Sequence, residues 1–192
     1  MIEVLVTLVI LSVGLLGVGT LQFIASLNNA DALSRSHAVL VAEQAAERLR
    51  LSAVSVTGAR GKVVDNAYVD ASLYNFGNLT CTSGTSDFAC FCESFPATLA
   101  NCQVNKCSAT QLATFDAYQL SCASILHNPN MNIDVTCVDS HASDMTSCSE
   151  GSRYTIRLSW PVQRWQSATM KNHVCNQLTS DDNDCILIEL FL

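Results

Sequence analysis

The feature of this chain that most constrains its fold is an uncharged, strongly apolar run near the amino terminus. Residues 4–27 contain no ionisable side chain, and the nearest charges on either side are Glu3 and Asp31. A helix needs about 20 apolar residues to cross the hydrocarbon core of a bilayer. The run therefore predicts a membrane-spanning helix over residues 1–27. Because a charge beside hydrocarbon is costly, we expect the carboxylate of Glu3 to have a specific function.

The same helix is expected to continue beyond the apolar run. No proline follows, and apolar residues recur at the spacing of one helix face: Ala38, Val41, Ala42, Ala45 and Leu49. Gly58 and Gly61 are typical of a helix end. The sequence therefore predicts three regions: a hydrophobic helix at 1–27, its amphipathic continuation at 28–57, and a cysteine-rich globular head at 58–192.

Three glycines lie inside the apolar run, at Gly14, Gly17 and Gly19. Glycine lowers helix stability in water, but small residues allow helices to approach closely in lipid. Three interpretations stay open: ordinary glycines of a membrane helix, a surface that packs against other helices in a membrane or filament, or a helix that can loosen locally.

The chain contains ten cysteines, all between Cys81 and Cys185. The even number and the absence of CxxC pairs argue against a zinc module and for disulfides formed in an oxidising compartment. Two polar segments of about ten residues are framed by cysteines. We predict the pairs Cys137–Cys148 and Cys175–Cys185, whereas spacing leaves the other six cysteines unassigned.

The head is predicted to be α+β. "SATQLATFDAYQLSCASIL" has helical spacing and a capping residue at Ser108. Its apolar face is expected to contain Leu112, Phe115, either Tyr118 or Gln119, and Cys122. Three C-terminal segments indicate an antiparallel sheet. Apolar and polar residues alternate in "MNIDVTCV" and "RYTIRLSW", and "CILIELFL" supplies a last strand. Outside that helix, residues 63–132 show no sustained periodicity and are predicted to form disulfide-stapled loops with short strands.

Motifs of enzymes and nucleotide-binding proteins are missing: there is no GxSxG, HExxH or glycine-rich phosphate loop. We expect no enzymatic activity and no cofactor. The net charge of −7 disfavours nucleic-acid binding. The acidic run containing Asp181, Asp182 and Asp184 leaves two alternatives, a solubilising turn or a calcium site, because carboxylate oxygens are the ligands that calcium prefers.

The opening "MIEVLVTLVILSVGLLGVGTLQ" resembles the amino-terminal helix of type IV prepilin-like proteins, in which a cleavage-site glycine precedes F-T-L-I-E-V-L-V-A-L-x-I. "LSVGLLGVGTLQ", "AEQAAERLR" and "CSATQLATFDAYQL" are similar to segments of the PilV-type minor pilins. Leu49 stands where those proteins typically have methionine, and Leu120 or Gln119 where they have tryptophan. The resemblance implies that two mature residues and a leader peptide precede Met1.

This resemblance implies a pilin fold, a long N-terminal helix packed on an antiparallel sheet with disulfide-stapled loops. It also implies a minor pilin of a type IV pilus, which joins an initiation complex at the pilus tip. Glu3 would meet the positive amino terminus of a neighbouring subunit and set the axial register. Residues 4–27 would lie in the bacterial inner membrane, with the head in the periplasm, until assembly exposes the protein at the cell surface.

The implied partners are other minor pilins, the major pilin, the inner-membrane assembly platform, the prepilin peptidase and a PilC/PilY-type tip adhesin. Two alternatives stay open. One is a pseudopilin of a type II secretion system, which shares the amino terminus but usually has a smaller head with fewer cysteines. The other is a surface-exposed adhesive or ligand-binding pilus subunit.

Overall fold

The structure is a computed structural model that describes residues 2–55, 61–81, 86–141, 148–161, 174–176 and 183–192. The chain divides into two compact units, Met1–Ser36 and His37–Leu192. Helix α1 (Ile2–Ser52) contributes all described residues of the first unit and the first element of the second. The architecture is α+β, with a long apolar N-terminal helix and antiparallel sheets, as the sequence predicts.

In the first unit, α1 exposes almost every apolar side chain. Its most apolar 18-residue window has a mean hydropathy of 2.5, and none of that window is buried. Ile2 is 75% exposed and Leu16 is 70% exposed. By length and composition this helix is sufficient to cross a membrane.

Helix α1 ends at Ser52, earlier than the boundary near residue 57 that the sequence suggests. The Ser52 hydroxyl donates to the carbonyl of Leu49 at 3.0 Å, and the chain then becomes extended. Strands β1 (Val54–Ser55) and β2 (Lys62–Val63) pair antiparallel. The helix therefore ends before the two glycines at which an end was expected, Gly58 and Gly61. Gly58 itself lies outside the described residues.

In the second unit, α1 buries the stripe that the spacing predicts. Each of its buried residues is at most 4% exposed: Ala38, Val41, Ala42, Ala45, Ala46 and Leu49. Four of these six side chains are methyl groups, which let the helix backbone approach the rest of the core closely. The stripe belongs to the main core of the head.

The principal sheet has the strand order β3-β4-β5, with β3 (Asn132–Val138), β4 (Arg153–Pro161) and β5 (Asn183–Phe191) antiparallel. Val135 lies opposite Ile156, which lies opposite Ile188. The predicted alternation in β4 is confirmed, because Tyr154, Ile156, Leu158 and Trp160 are all at most 2% exposed. A slip of one residue would expose this entire set, so burial of one face fixes the register.

Four helical segments lie between β2 and β3 in the sequence. They are two short 3₁₀ helices (Asn66–Val69 and Ala71–Leu73), helix α2 (Asp87–Phe91) and helix α3 (Ala109–Ile125). Ser108 caps α3, as predicted, and the side chain of Gln111 completes a capping box. Helix α3 buries two faces. Ala113, Ala117 and Leu120 join the main core, whereas Tyr118 and Ile125 join a second cluster with Phe76 and Phe91. The spacing indicates only the second of these faces.

All ten cysteines are paired. Two disulfides are the pairs expected from the framed segments, Cys137–Cys148 and Cys175–Cys185. The other three are Cys81–Cys90, Cys92–Cys122 and Cys102–Cys107. Cys92–Cys122 joins the end of α2 to α3. The part of the second cluster around α2 is therefore linked covalently to α3.

Candidate interaction surfaces

Glu3 lies in the first turn of α1 with its side chain exposed. The unsatisfied N–H groups of a helix N-terminus carry a partial positive charge, so a carboxylate there is favoured. The side chain projects from an otherwise apolar surface. Its geometry permits a bond to a group from outside this chain, and the role in subunit register stays a prediction.

Gly14, Gly17 and Gly19 present open surface. A Cβ atom added at any of them would meet no other atom of this chain within 4 Å beyond its own helix backbone and chain neighbours. None of the three glycines is therefore required by packing within this chain. An apolar helix surface of this extent is unstable in water and requires lipid or other helices to cover it.

Within the second unit, a polar network joins the C-terminal part of α1 (residues 37–52) to α3. The Arg48 guanidinium forms an ion pair with Asp116, and its Nη2 donates to Oε1 of Gln119 at 2.7 Å. The other carboxylate oxygen of Asp116 accepts a hydrogen bond from the hydroxyl of Tyr68 at 2.6 Å. Asp116 is only 6% exposed, so its charge is stabilised by these partners rather than by water.

Two buried tyrosines extend this network. The Tyr74 hydroxyl donates to the carbonyl of Tyr68 at 2.8 Å. Burial, and then the hydrogen bond to Asp116, raises the pKa of Tyr68 above its ordinary value of 10. Burial also raises the pKa of Tyr74. Both hydroxyls are therefore neutral donors at physiological pH, and the network holds one cation and one anion.

The two ion-paired residues of this network lie in two of the segments on which the sequence resemblance rests. Arg48 belongs to "AEQAAERLR" and Asp116 to "CSATQLATFDAYQL". Leu120, one of the two residues aligned by the resemblance with a typical tryptophan, is 2% exposed in the main core. Sequence reasoning assigned no role to Arg48 or Asp116. The available signal was an arginine on a predicted helix and an aspartate inside another predicted apolar helix, where a lone charge requires a partner.

The loop closed by Cys137–Cys148 is anchored by Asp139. Its Oδ1 accepts hydrogen bonds from the Ser149 hydroxyl and from the Ser149 N–H at 3.0 Å, and from the Ser152 hydroxyl at 3.1 Å. The bonds from Ser149 are the main reason why the pKa of Asp139 lies below its ordinary value. Asp139 is therefore a structural acceptor that fixes the entrance of β4.

An apolar groove of about 240 Å³ lies between α3 and the loops of the second cluster. Its walls include Leu73, Phe76, Leu79, Leu99 and Tyr118. Asn78, Thr98 and Thr114 provide polar groups at the same groove. Among the described residues, no carboxylate or cationic side chain lines it, so its chemistry suits an uncharged group. No sequence pattern indicates this groove, because its walls come from three separate segments of the chain.

The acidic run is only partly described. Asp184 lies in β5 opposite Trp160, and its Oδ1 accepts the N–H of Cys185 at 3.0 Å. Asp181 and Asp182 lie outside the described residues, so the calcium alternative stays a prediction. Within the described ranges, no group of three or more His, Cys, Asp or Glu side chains is arranged to hold a metal ion.

Comparisons with protein-family models, with curated proteins and with solved structures give no match for this chain.

Proposed function

We propose that this protein is a minor pilin of a type IV pilus, which joins a priming complex of minor pilins at the pilus tip and promotes assembly. The observation that carries the proposal is that the two ends of α1 have different surfaces. One 51-residue helix exposes an apolar surface with a single carboxylate at its start, and buries a small-residue stripe in a head near its end. A membrane-stored subunit that later packs in a filament requires both surfaces.

In this proposal Glu3 sets the register between neighbouring subunits. A carboxylate held among apolar side chains is destabilised unless an opposite charge lies close to it. The positive amino terminus of an adjacent subunit would provide that charge. Only one axial offset between two helices would pair the two groups, so a second charge in residues 4–27 would make the register ambiguous.

The disulfides and the polar network support the rest of the proposal. Five disulfides are suited to a head in an oxidising compartment such as the periplasm. The network around Asp116 would fix the orientation of the head on the helix that enters the filament. The head would then contact sibling minor pilins, the major pilin and a PilC/PilY-type tip adhesin, after processing by the prepilin peptidase at the inner-membrane platform.

A deletion strain tests the function directly. Surface pili are counted with the retraction motor active and with the motor disabled. We expect pili to be lost with active retraction and to return in part without it, because a priming defect is then no longer compounded by retraction. Normal pilus numbers together with failed adhesion would identify a specialised working subunit instead. Normal pili with failed protein secretion would identify a pseudopilin.

The docking role of Glu3 is tested by Glu3→Ala, measured as the amount of this protein in sheared pili. We expect at least a tenfold reduction, with unchanged amounts in the inner membrane. Asp31→Ala is the matched control, because it removes an exposed carboxylate from the same helix outside the apolar run. Normal incorporation of the Glu3 variant would refute the register role.

A further inference from the structure

The two edges of the principal sheet differ in how their backbone groups are satisfied. At the β3 edge, the N–H of Ile133 donates to Oδ1 of Asn75 at 3.0 Å, and Nδ2 of Asn75 donates to the carbonyl of Ile133 at 2.8 Å. A side-chain amide thus replaces a neighbouring strand there. Helix α3 and the first 3₁₀ helix also contact β3. This edge is covered.

The β5 edge begins in the same way, but further along no strand within the described residues pairs with its outer side. The N–H of Asn183 donates to Oδ1 of Asn176 at 2.8 Å, and Nδ2 of Asn176 donates to the carbonyl of Asn183 at 3.0 Å. The amide of Asn176 forms the first rung of an added strand. Because it bonds to the side of β5 that faces away from β4, it identifies which peptide groups point outward.

Backbone direction alternates along an antiparallel strand, so every second residue after Asn183 also directs its N–H and C=O outward. The next such N–H, that of Cys185, is already bonded to the side chain of Asp184 at 3.0 Å. The three that follow are Leu187, Glu189 and Phe191. Among the described strands, β5 pairs only with β4, so these residues provide three successive rungs for another strand.

The side chains at the three positions define what a partner strand must carry. Leu187 is 41% exposed and Phe191 is 72% exposed, and the Glu189 carboxylate lies between them on the same face. Glu189 has one basic neighbour, Arg153, at 3.6 Å, and both side chains are about half exposed, so this pair is weak. Directly opposed side chains on one face of a sheet interact, so apolar, basic and apolar residues would match this edge.

We propose that the outer edge of β5 binds an extended segment of a partner polypeptide by strand addition, with alternate side chains apolar, basic and apolar. Backbone bonds to Leu187, Glu189 and Phe191 would provide affinity, and the pairing of a basic residue with Glu189 would set the register. This binding mode does not depend on the pilus assignment. It uses only the sheet of the second unit.

The test uses the full chain in detergent micelles and a fluorescent peptide, Ser-Val-Thr-Lys-Thr-Val-Ser, with a matched peptide that has glutamate in place of lysine. Fluorescence anisotropy gives the affinities, and amide hydrogen exchange locates the bound peptide. We expect the lysine peptide to bind about tenfold more tightly at low salt, as for one favourable charge pair. The amides of Leu187, Glu189 and Phe191 should gain protection.

Two variants separate the proposal from non-specific binding. Glu189→Lys should reverse the preference between the two peptides. Leu187→Pro removes one outward N–H without removing a bond to β4, and should weaken binding about tenfold. Leu187→Val is its control, because it keeps the N–H and an apolar side chain; equal thermal unfolding of both variants would show that the sheet is intact.

Equal binding of the two peptides, or protection elsewhere than β5, would overturn the proposal. Unchanged binding by a folded Leu187→Pro variant would also overturn it. Protection of the β5 edge that rises with protein concentration, without any peptide, would assign the edge to a second copy of this chain and would likewise overturn it.

Discussion

Arg48 on α1 and Asp116 on α3 form an ion pair although 68 residues separate them in the sequence. The side chain of Arg48 is 22% exposed and that of Asp116 is 9% exposed, so the pair is largely removed from water. Tyr68 and Gln119 bond to the same two side chains. The pair joins residues 37–52 of α1 to α3 and so restricts the rotation of that part of the helix relative to α3.

Asp116→Ala is predicted to destabilise the head strongly. It leaves the guanidinium of Arg48 and the hydroxyl of Tyr68 without their acceptor, and an uncompensated, mostly buried charge costs about 3 kcal/mol. Urea unfolding of the disulfide-intact protein measures the change. Glu47→Ala is the control, because its ion pair with Arg50 is exposed and should contribute less than about 1 kcal/mol. Equal losses in the two variants would contradict a special role for Asp116.

The disulfides are predicted to contribute unequally. Cys92–Cys122 closes a loop with a sequence separation of 30, whereas that of Cys102–Cys107 is 5. If crosslinks act on the entropy of the unfolded chain, replacing the first pair by serine should cost about 3.5 kcal/mol and replacing the second about 2 kcal/mol. Denaturant unfolding without reductant measures both. The reverse order would show that local packing decides the effect.

Asp139 is predicted to make the head sensitive to acid. Hydrogen bonds from Ser149 hold the pKa of Asp139 below its ordinary value of 3.8, so the folded state binds fewer protons than the unfolded state in acid. The stabilisation is present above pH 3.8 and is lost as the pH falls below it. Asp139→Asn should therefore be less stable than the wild type at pH 7, and the difference should shrink at lower pH. A difference that persists undiminished in strong acid would refute this linkage.

Asn75 is predicted to be required for its side chain and its backbone conformation together. Its φ is 51°, in the left-handed region that asparagine tolerates better than alanine. Asn75→Ala loses both bonds to Ile133 and strains the backbone, and should cost about 2–3 kcal/mol. Asn75→Gly loses the same bonds without the strain, so it should be the more stable variant in thermal unfolding. If the two variants unfold alike, the backbone conformation contributes little.

Much of the architecture could be predicted because its signals are local. The apolar run, the buried stripe of α1, the capping box at Ser108 and the alternation in β4 each depend on residues close in sequence. The helix end at Ser52 was not predicted, because the glycine signals lie further along the chain, whereas β1 already begins at Val54 and pairs with β2. The main-core face of α3 was missed since Ala113 and Ala117 carry little apolar signal until a partner helix or sheet is placed beside them.

Long-range contacts were the part that sequence patterns could not supply. Cys137–Cys148 and Cys175–Cys185 enclose short polar segments, which makes them predictable. Cys92–Cys122 depends on where α3 lies. The bonds of Asn75 to Ile133 and of Arg48 to Asp116 likewise require the folded chain, and they are the contacts that determine which edge and which helix face are covered.

The positions of the disulfides have a mechanical consequence. No cysteine lies in α1, so none of the five crosslinks joins that helix to the head. A pulling force applied along α1 is opposed by the buried alanine stripe, by the Arg48–Asp116 pair and by the main chain beyond Ser52. The loops of the head, in contrast, are held by covalent bonds. A force large enough to break these contacts would separate the helix from the core, while the disulfide-linked loops kept their shape.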